Sequence, residues 1–351
     1  MPEVYLPSRA PHRNVTDSTP FQSASQIPRA DGHKSIGFAP TSRYVPVLMN
    51  QTSSTPRIQP RIQPPELHLA SQPEDASQPA RAGFFQPAEQ PALALCALGL
   101  LGLGVLALVY GDFALVWQPV APWFPARTAL AYLTGATEVV TALALLFRAT
   151  SRWAVRILFP GVLLWQLLKV PDLFAAPTVE GSYLSSGETA ILLAGAWTLF
   201  ARLADFAPGS RFAFLTAPRA LRLARLYFGL WIIPIGLSHI VYHDATVHLI
   251  PMWIPNRSFV AYLTGAGQIA SGLGLLFNVL PRVAAYGEAA QLWLYTLLIW
   301  IPAVVFGPNT DVQAVFGASG ARMPWTALLV TWFPAACALA VAQNTPAKSH
   351  S

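Results

Sequence analysis

The carboxyl group of Glu138 lies near the middle of a long apolar run of the chain. Because an ionised carboxylate is costly in hydrocarbon, such a group is expected to be protonated, paired or turned away from lipid. It could carry a proton, bind a ligand or form an interhelical hydrogen bond. In a second copy of the surrounding sequence the aligned residue is Gln268, which cannot ionise. The pair therefore favours a shared structural hydrogen bond, whereas Glu138 alone retains the option of proton chemistry.

Two histidines form a second candidate site. His239 and His243 are four residues apart, with Tyr242 between them, so a helix would carry both imidazoles on one face. Such a face could ligate a metal or haem, or hydrogen-bond a quinone. The alternative is one histidine bonded within a helix bundle and another in the membrane interface. The sequence favours this structural interpretation over ligand binding, and ligand binding over a metal site.

One acid and one arginine recur in each copy near the ends of apolar runs. Asp112 with Arg127, and Asp244 with Arg257, are predicted to form structural pairs that fix the outer loop between two helices. Binding of an anion is the alternative. Three further charged residues cluster at the outer end of the third run and beyond, and are predicted to be solvated: Lys169, Asp172 and Glu180.

Small and sulfur-containing residues are given structural roles. Gly287, beside Glu288, predicts close helix packing at that point. Cys96 and Cys337 do not form a C-x-x-C motif, so they are predicted to be buried side chains and not a redox pair. The chain also lacks the P-loop, dinucleotide-binding, zinc-protease and serine-hydrolase motifs. No cofactor is evident from motifs, and we expect no stand-alone enzyme.

The elements that position these residues are apolar. Hydrophobic residues make up 54% of the chain and charged residues 11%, against roughly a quarter charged in a soluble domain. From Ala92 onward the chain divides into eight apolar runs, most of them near the roughly 20 residues that cross a bilayer as a helix. The runs are Ala92–Tyr110, Thr128–Phe147, Trp153–Phe174, Gly187–Leu203, Leu223–Tyr242, Ser258–Leu280, Val283–Phe306 and Pro324–Ala342. The fold class predicted is an all-α, polytopic membrane protein whose environment is the lipid bilayer.

Arginines are concentrated in alternate gaps between the runs. By the positive-inside rule these gaps face the cytoplasm, and an even number of spans then places both termini there. Because the arginines lie in short gaps between apolar runs, the net charge of +6 does not indicate nucleic-acid binding. The arginines of the gaps after the second, fourth and sixth runs are Arg148, Arg152, Arg202, Arg211, Arg219, Arg222 and Arg282.

An internal repeat organises the runs. The hexapeptide AYLTGA occurs at Ala131–Ala136 and at Ala261–Ala266, and its surroundings match at the same offset of 130 residues. Each copy contains four runs, so both copies are predicted to insert the same way up, as a parallel repeat. We therefore predict two tandem four-helix bundles, residues 89–208 and 209–346. Residues 1–88 are rich in Pro, Ser and Gln and are predicted to be a disordered tail.

The repeated segments resemble a known family. The resemblance rests on two patterns. One is P-x-W-x-P-x-R in the outer loop, degenerate at its first position in each copy, and the other is G-x-x-[EQ]-x-x-x-[AG]-L-x-L-L-F in the second helix. The second pattern is read at Gly135, Glu138 and Ala142, and again at Gly265, Gln268 and Gly272. Over residues 92–342 the chain resembles the DoxX-like family of bacterial membrane proteins, which are four-helix bundles.

The resemblance implies a location in the bacterial inner (plasma) membrane. Some relatives are subunits of quinone-linked oxidoreductases, which implies a membrane subunit or accessory of such a system, with protein partners and quinone as a candidate ligand near His239. Membership of a family is evidence of fold and not of function, so two other functions remain possible. One is a small-molecule transporter or permeation pathway between the repeats, although the chain lacks the broken helices typical of many transporters. The other is a non-catalytic membrane scaffold.

Overall fold

The computed structural model describes residues 90–114, 117–207, 209–307 and 322–346, and this part of the chain is helical, without strands. The predicted tail, residues 1–88, lies outside the described residues. The helices are α1 Pro91–Tyr110, α2 Arg127–Leu145, α3 Arg148–Ala175, α4 Glu180–Leu203, α5 Pro218–Val241, α6 His243–Leu249, α7 Arg257–Leu276, α8 Pro281–Val305 and α9 Arg322–Gln343. A short 3₁₀ turn, Ala213–Leu215, precedes α5.

Seven helices in the described part of the chain are long and apolar enough to cross a membrane. The prediction of an all-helical, multi-pass membrane protein is thereby confirmed. The fourth predicted run forms α4, which is not among the seven, and Glu188 and Arg202 lower its hydropathy. Protein surrounds α4 between Ser186 and Phe200, where most of its side chains are buried. A helix enclosed by other helices can carry polar residues that lipid would not tolerate.

The long helices pack in two similar series. In the first, α1 packs on α2, α2 on α3, and α3 on α4; in the second, α5 packs on α7, α7 on α8, and α8 on α9. The series are joined reciprocally, because α4 packs on α5 while α9 packs on α1. The helices α4 and α9 also contact each other. The described helices thus form one interlocked ring, in which the first helix of each series packs against the last helix of the other.

The repeated hexapeptide lies at a close helix crossing in each series. A Cβ atom added to Gly135 of α2 would lie 2.8 Å from the carbonyl oxygen of Gly104 in α1. In the second series, a Cβ added to Gly265 of α7 would lie 2.7 Å from the carbonyl oxygen of Gly236 in α5. Glycine is required because the opposing atoms are backbone, which has no flexible side chain to move aside. The two copies of AYLTGA therefore preserve the same backbone-to-backbone contact.

Gly287 of α8 does not take part in such a crossing. A Cβ added there would meet nothing within 4 Å, and the residue is exposed on the outer face of the helix. The predicted close packing at Gly287 is wrong, because the neighbouring helices contact the opposite face of α8, where Glu288 and Ala289 are buried.

Two irregularities shape the second series. Tyr242, with φ −104° and ψ 43°, separates α5 from the short helix α6. Within α8, Thr296–Trp300 form a π-helical turn just before Pro302. Proline lacks the N–H that a regular helix would use at this point, and π turns of this kind widen a helix locally and often occur at functional sites. Both irregularities lie beside the larger cavity described below.

Candidate functional site

Two cavities lie within the helix ring. The larger, about 650 Å³, is lined by residues from α4 to α9. The smaller, about 270 Å³, is lined by the first four helices, the loop after α1, and Phe333 of α9. Both linings are mostly apolar and carry a few polar groups, which is the usual composition of a small-molecule site.

His239 lies in the wall of the larger cavity. Its Nδ1 is 2.9 Å from the hydroxyl of Thr264, a residue of the second hexapeptide. That hydroxyl donates its one hydrogen to the carbonyl of Ala261 at 2.9 Å, so it accepts a hydrogen bond from His239 Nδ1. In a neutral imidazole the other nitrogen, Nε2, is then an acceptor. The fold thus fixes one nitrogen of His239 and presents the ring to the cavity.

Further polar groups continue this wall. Gln291 of α8 donates from Nε2 to the carbonyl of Thr264 at 2.8 Å and to the Tyr295 hydroxyl at 2.5 Å. The Tyr295 ring lies 5.8 Å from the ring of His239, centroid to centroid. The Tyr295 hydroxyl also forms a hydrogen bond with the Thr264 side chain. We call His239, Thr264, Gln268, Gln291 and Tyr295 the polar strip of the larger cavity.

Gln268, the residue aligned with Glu138, is fully buried and donates from Nε2 to Glu288 of α8 at 3.2 Å. Its Oε1 has no hydrogen-bond partner among the described residues. Sequence reasoning assigned Glu288 no partner, since the aligned position of the first copy is Leu158. The sequence signal for this pair was an acid and an amide in two adjacent apolar runs, where each needs a polar partner.

Glu138 makes a similar pair with a different partner. Gln118, in the segment between α1 and α2, donates from Nε2 to Glu138 Oε1 at 2.6 Å and accepts from the Ala114 N–H at 2.8 Å. Glu138 Oε2 is buried without a hydrogen-bond partner in the described part of the chain. Each series therefore contains one carboxyl–carboxamide pair. In the first the carboxyl group is on the second helix of the series, whereas in the second it is on the third.

His239 and His243 do not share a helix face as predicted, because α5 ends at Val241 and His243 begins α6. His243 bonds through Nε2 to Ser258 at 2.9 Å and stacks on Tyr262 at 4.5 Å, outside the lining of the larger cavity. Tyr242 does line that cavity, and its hydroxyl accepts the Gly181 N–H of α4 at 2.9 Å. The described residues contain no cluster of three or more His, Cys, Asp or Glu side chains able to hold a metal ion.

Lys169 is buried, with 1% of its surface exposed, so its predicted solvation is wrong. Its Nζ donates to the Ser185 carbonyl at 2.7 Å and to the Ser185 hydroxyl at 2.6 Å, and it interacts electrostatically with Glu188. Asp172 is exposed and Glu180 is half-buried. The reason for the error is the packing of α3 on α4, which turns Lys169 into the interface. Lys169 lies in one apolar run and Glu188 in the next, and opposite charges in adjacent runs were the missed signal.

Just after the end of α1, Asp112 binds two arginines. Arg127, at the start of α2, forms an ion pair with its Oδ1. Arg322, at the start of α9, lies 3.1 Å from its Oδ2 and also donates to the Phe113 carbonyl at 2.6 Å. Asp112 therefore joins the first loop to the last helix, a link that the repeat alone did not predict.

In the second series, Asp244 and Arg257 lie apart and make different contacts in the described part of the chain. The side chain of Asp244 is 99% exposed and lies 3.2 Å from His243 Nδ1. Arg257 donates to the carbonyls of Val247 at 3.4 Å and Ile250 at 3.3 Å. The predicted Asp244–Arg257 pair does not form, because the break at Tyr242 directs Asp244 outward.

The two cysteines meet at the contact between the series. Cys96 of α1 and Cys337 of α9 are buried and free, and their thiols interact. Cys337 also packs against Gly195 of α4, where an added Cβ would lie only 2.3 Å from the Cys337 Cβ. Both are buried as predicted, and their proximity follows from the packing of α9 between α1 and α4.

Comparison with known proteins adds one match. Residues 220–301 match the model of the DoxX family, a range that extends from the first turn of α5 into the last part of α8 and includes the whole polar strip. No curated protein and no solved structure gave a significant match. With its apolar helices the chain is a multi-pass membrane protein, and residues 220–301 of it are similar to the DoxX family.

Proposed function

We propose that the larger cavity binds a small apolar molecule with a hydrogen-bonding head, of the quinone class, and that the protein is a membrane subunit or accessory of a quinone-linked redox system. The observation that carries this proposal is the polar strip along one wall of a mostly apolar cavity of about 650 Å³. Pockets of this size and composition hold molecules in which one ring bears a few polar atoms.

The chemistry of the strip suits both forms of such a ligand. The Tyr295 hydroxyl, which bonds Gln291 and Thr264, would donate to a quinone carbonyl by giving up its bond to Thr264. His239 Nε2 and the unpartnered Gln268 Oε1 can accept from the hydroxyl of a quinol. A bound quinone would supply the electron-carrying chemistry. The residues of this chain would bind the head, orient the ring and exclude water through apolar neighbours such as Ile235 and Leu292.

Co-purification tests the proposal directly. The protein is extracted from quinone-containing membranes in a mild detergent, and bound quinone is measured by solvent extraction, chromatography and the optical spectrum. We expect stoichiometric quinone in the wild type and a large loss in His239→Leu and Tyr295→Phe. His243→Leu is the matched control, since His243 lies outside the cavity lining. Wild-type protein without quinone, or equal retention in all variants, would refute the proposal.

A second candidate function is a permeation pathway between the two series. It is favoured by α4, where Glu188 lines the larger cavity and the next residue, Thr189, lines the smaller. Charged residues inside a membrane protein commonly mark ion or substrate pathways, and Lys169 interacts with Glu188 at this wall. Proton flux into proteoliposomes, reported by an enclosed pH-sensitive dye, should then fall in Lys169→Met. A purely scaffolding role would leave both this assay and quinone co-purification negative.

We further propose eight spans, with both termini in the cytoplasm of a bacterium and the protein in the inner membrane. The helix α4 has 24 residues and a length of about 36 Å, enough to cross about 30 Å of hydrocarbon. The matching glycine crossings support two tandem units, residues 89–208 and 209–346, despite their interlocked packing. A reporter active only outside the cytoplasm should be silent when fused after Ser351. Strong activity would mean an odd number of spans and point to α4 as the helix that does not cross.

A further inference from the structure

The smaller cavity is bordered by buried polar atoms that lack partners. Glu138 Oε2, Thr141 Oγ1 and Thr189 Oγ1 have no hydrogen-bond partner among the described residues, and all three side chains line this cavity. Thr141 is 3% exposed and Thr189 is fully buried. Buried polar groups are nearly always hydrogen-bonded in native proteins, so the unpartnered groups around this cavity can bond a molecule that occupies it.

The two threonines differ from others in the same helices. Thr137 of α2 donates to the Leu133 carbonyl at 2.8 Å, and Thr198 of α4 donates to the Ala194 carbonyl at 2.8 Å. This bond to the carbonyl four residues earlier is the usual one for a threonine in a helix. Thr141 and Thr189 do not make it, although they belong to the same two helices. Their hydroxyls are therefore available to a molecule in the cavity.

The charge and the aromatic rings of the cavity indicate the class of ligand. Gln118 satisfies only one oxygen of Glu138, and in the described part of the chain no basic side chain forms an ion pair with this carboxyl group. Trp117, Trp165 and Phe333 line the same cavity. Aromatic faces attract organic cations, most strongly where water is excluded. An ammonium group could satisfy Glu138 Oε2 and donate to a threonine hydroxyl, while its hydrocarbon part contacts the rings.

We propose that the smaller cavity is a second binding site, independent of the quinone-type site, and that it takes a small organic cation, a protonated primary amine with a hydrophobic group. The second series does not offer the same site, since its aligned residue is Gln268 and its carboxyl group, Glu288, which bonds to that amide, lies outside the lining of the larger cavity. The exchange of acid and amide between the series thus gives the two cavities different ligand preferences.

The probes for this site are phenethylammonium and its uncharged analogue 2-phenylethanol. Binding is measured on the detergent-purified full chain as the saturable rise in thermal unfolding midpoint with probe concentration, at constant ionic strength. Glu138→Gln is the test variant, and Glu288→Gln is the matched control, because it removes a buried carboxyl group that lies outside the lining of the smaller cavity. We expect a saturable shift with phenethylammonium in wild type and Glu288→Gln, and an affinity weaker by roughly tenfold or more in Glu138→Gln, from the loss of a charge-assisted hydrogen bond.

Three outcomes would overturn the proposal: no saturable shift in wild type, an equal shift with 2-phenylethanol, or an unchanged affinity in Glu138→Gln. If Glu138→Gln does not fold, Thr141→Val gives the same readout, since it retains the shape of the residue and removes only the hydroxyl. A weaker shift in Thr141→Val then supports the site, and an unchanged one refutes it. Loss of quinone from His239→Leu is measured separately, so either proposal can fail alone.

Discussion

The glycine crossings give a quantitative prediction for stability. In Gly265→Ala, the new Cβ would lie 2.7 Å from the Gly236 carbonyl oxygen and 2.9 Å from the His239 Cβ. Ordinary contact begins at 3.4 Å, so α5 and α7 must move apart by the difference, 0.7 Å. A gap of that size forfeits about a quarter to a half of each lost dispersion contact.

Overpacking of this kind costs about 1–3 kcal/mol, and the better helix propensity of alanine offsets up to about 1 kcal/mol. We therefore expect Gly265→Ala, and likewise Gly135→Ala, to lower the free energy of unfolding by about 1–2 kcal/mol, a fall in midpoint of about 2–8 °C. The assay is thermal unfolding in mild detergent, followed by circular dichroism.

Two glycines serve as controls, because an added Cβ meets nothing within 4 Å at Gly161 of α3 or at Gly287 of α8. At these positions alanine should be neutral or stabilising by up to about 1 kcal/mol, through helix propensity alone. If Gly135→Ala and Gly265→Ala prove as stable as these controls, the close crossings do not hold the helices together and the reasoning from the repeated hexapeptide is refuted.

Five further substitutions, at four residues, separate structural from solvated groups in the same unfolding assay. Asp112→Asn should destabilise the protein by about 1–3 kcal/mol because two arginines lose their anion. The control Asp244→Asn, at an exposed site, should change the free energy of unfolding by less than about 0.5 kcal/mol. Equal effects of the two substitutions would contradict the ion-pair geometry. Glu138→Gln should leave stability nearly unchanged, and Glu138→Leu should cost about 1–2 kcal/mol because Gln118 loses its acceptor; a severe loss in the amide variant would show that charge, not hydrogen bonding, is required. Lys169→Met should cost about 3–5 kcal/mol by leaving Glu188 without its cation, and a harmless substitution would mean that the pair contributes little.

Much of the fold could be predicted because apolar length is a property of the chain itself. The run Ala92–Tyr110 became the helix Pro91–Tyr110, whereas the fourth run, predicted as a span, became a helix that is not among the candidate spans. The repeat located the residues that matter at helix crossings. These features depend on local sequence and on the hydrocarbon thickness, which are both known in advance.

The contacts of the candidate sites could not be predicted in the same way. Whether Lys169 faces lipid, water or Glu188 depends on the rotation of α3 against α4, and neither helix encodes that rotation alone. The break at Tyr242 separated two histidines that an uninterrupted helix would have aligned. Asp112 pairs with Arg322, which lies more than 200 residues later in the chain. Such pairings arise from packing between distant helices, so sequence spacing gave the residue types without their partners.

The reciprocal packing of α1 and α9 has a consequence for biogenesis. The indole of Trp332 in α9 donates to the Leu95 carbonyl of α1 at 2.9 Å, so the first of the described helices contacts the last of them. During synthesis α1 remains in the membrane without its contact to α9 until α9 has been translated. Over that interval its glycine-rich face, which includes Gly99 and Gly102, lacks the partner that later packs on it. A chain truncated before α9 would leave both ends of the ring open and present that face to membrane quality-control proteases.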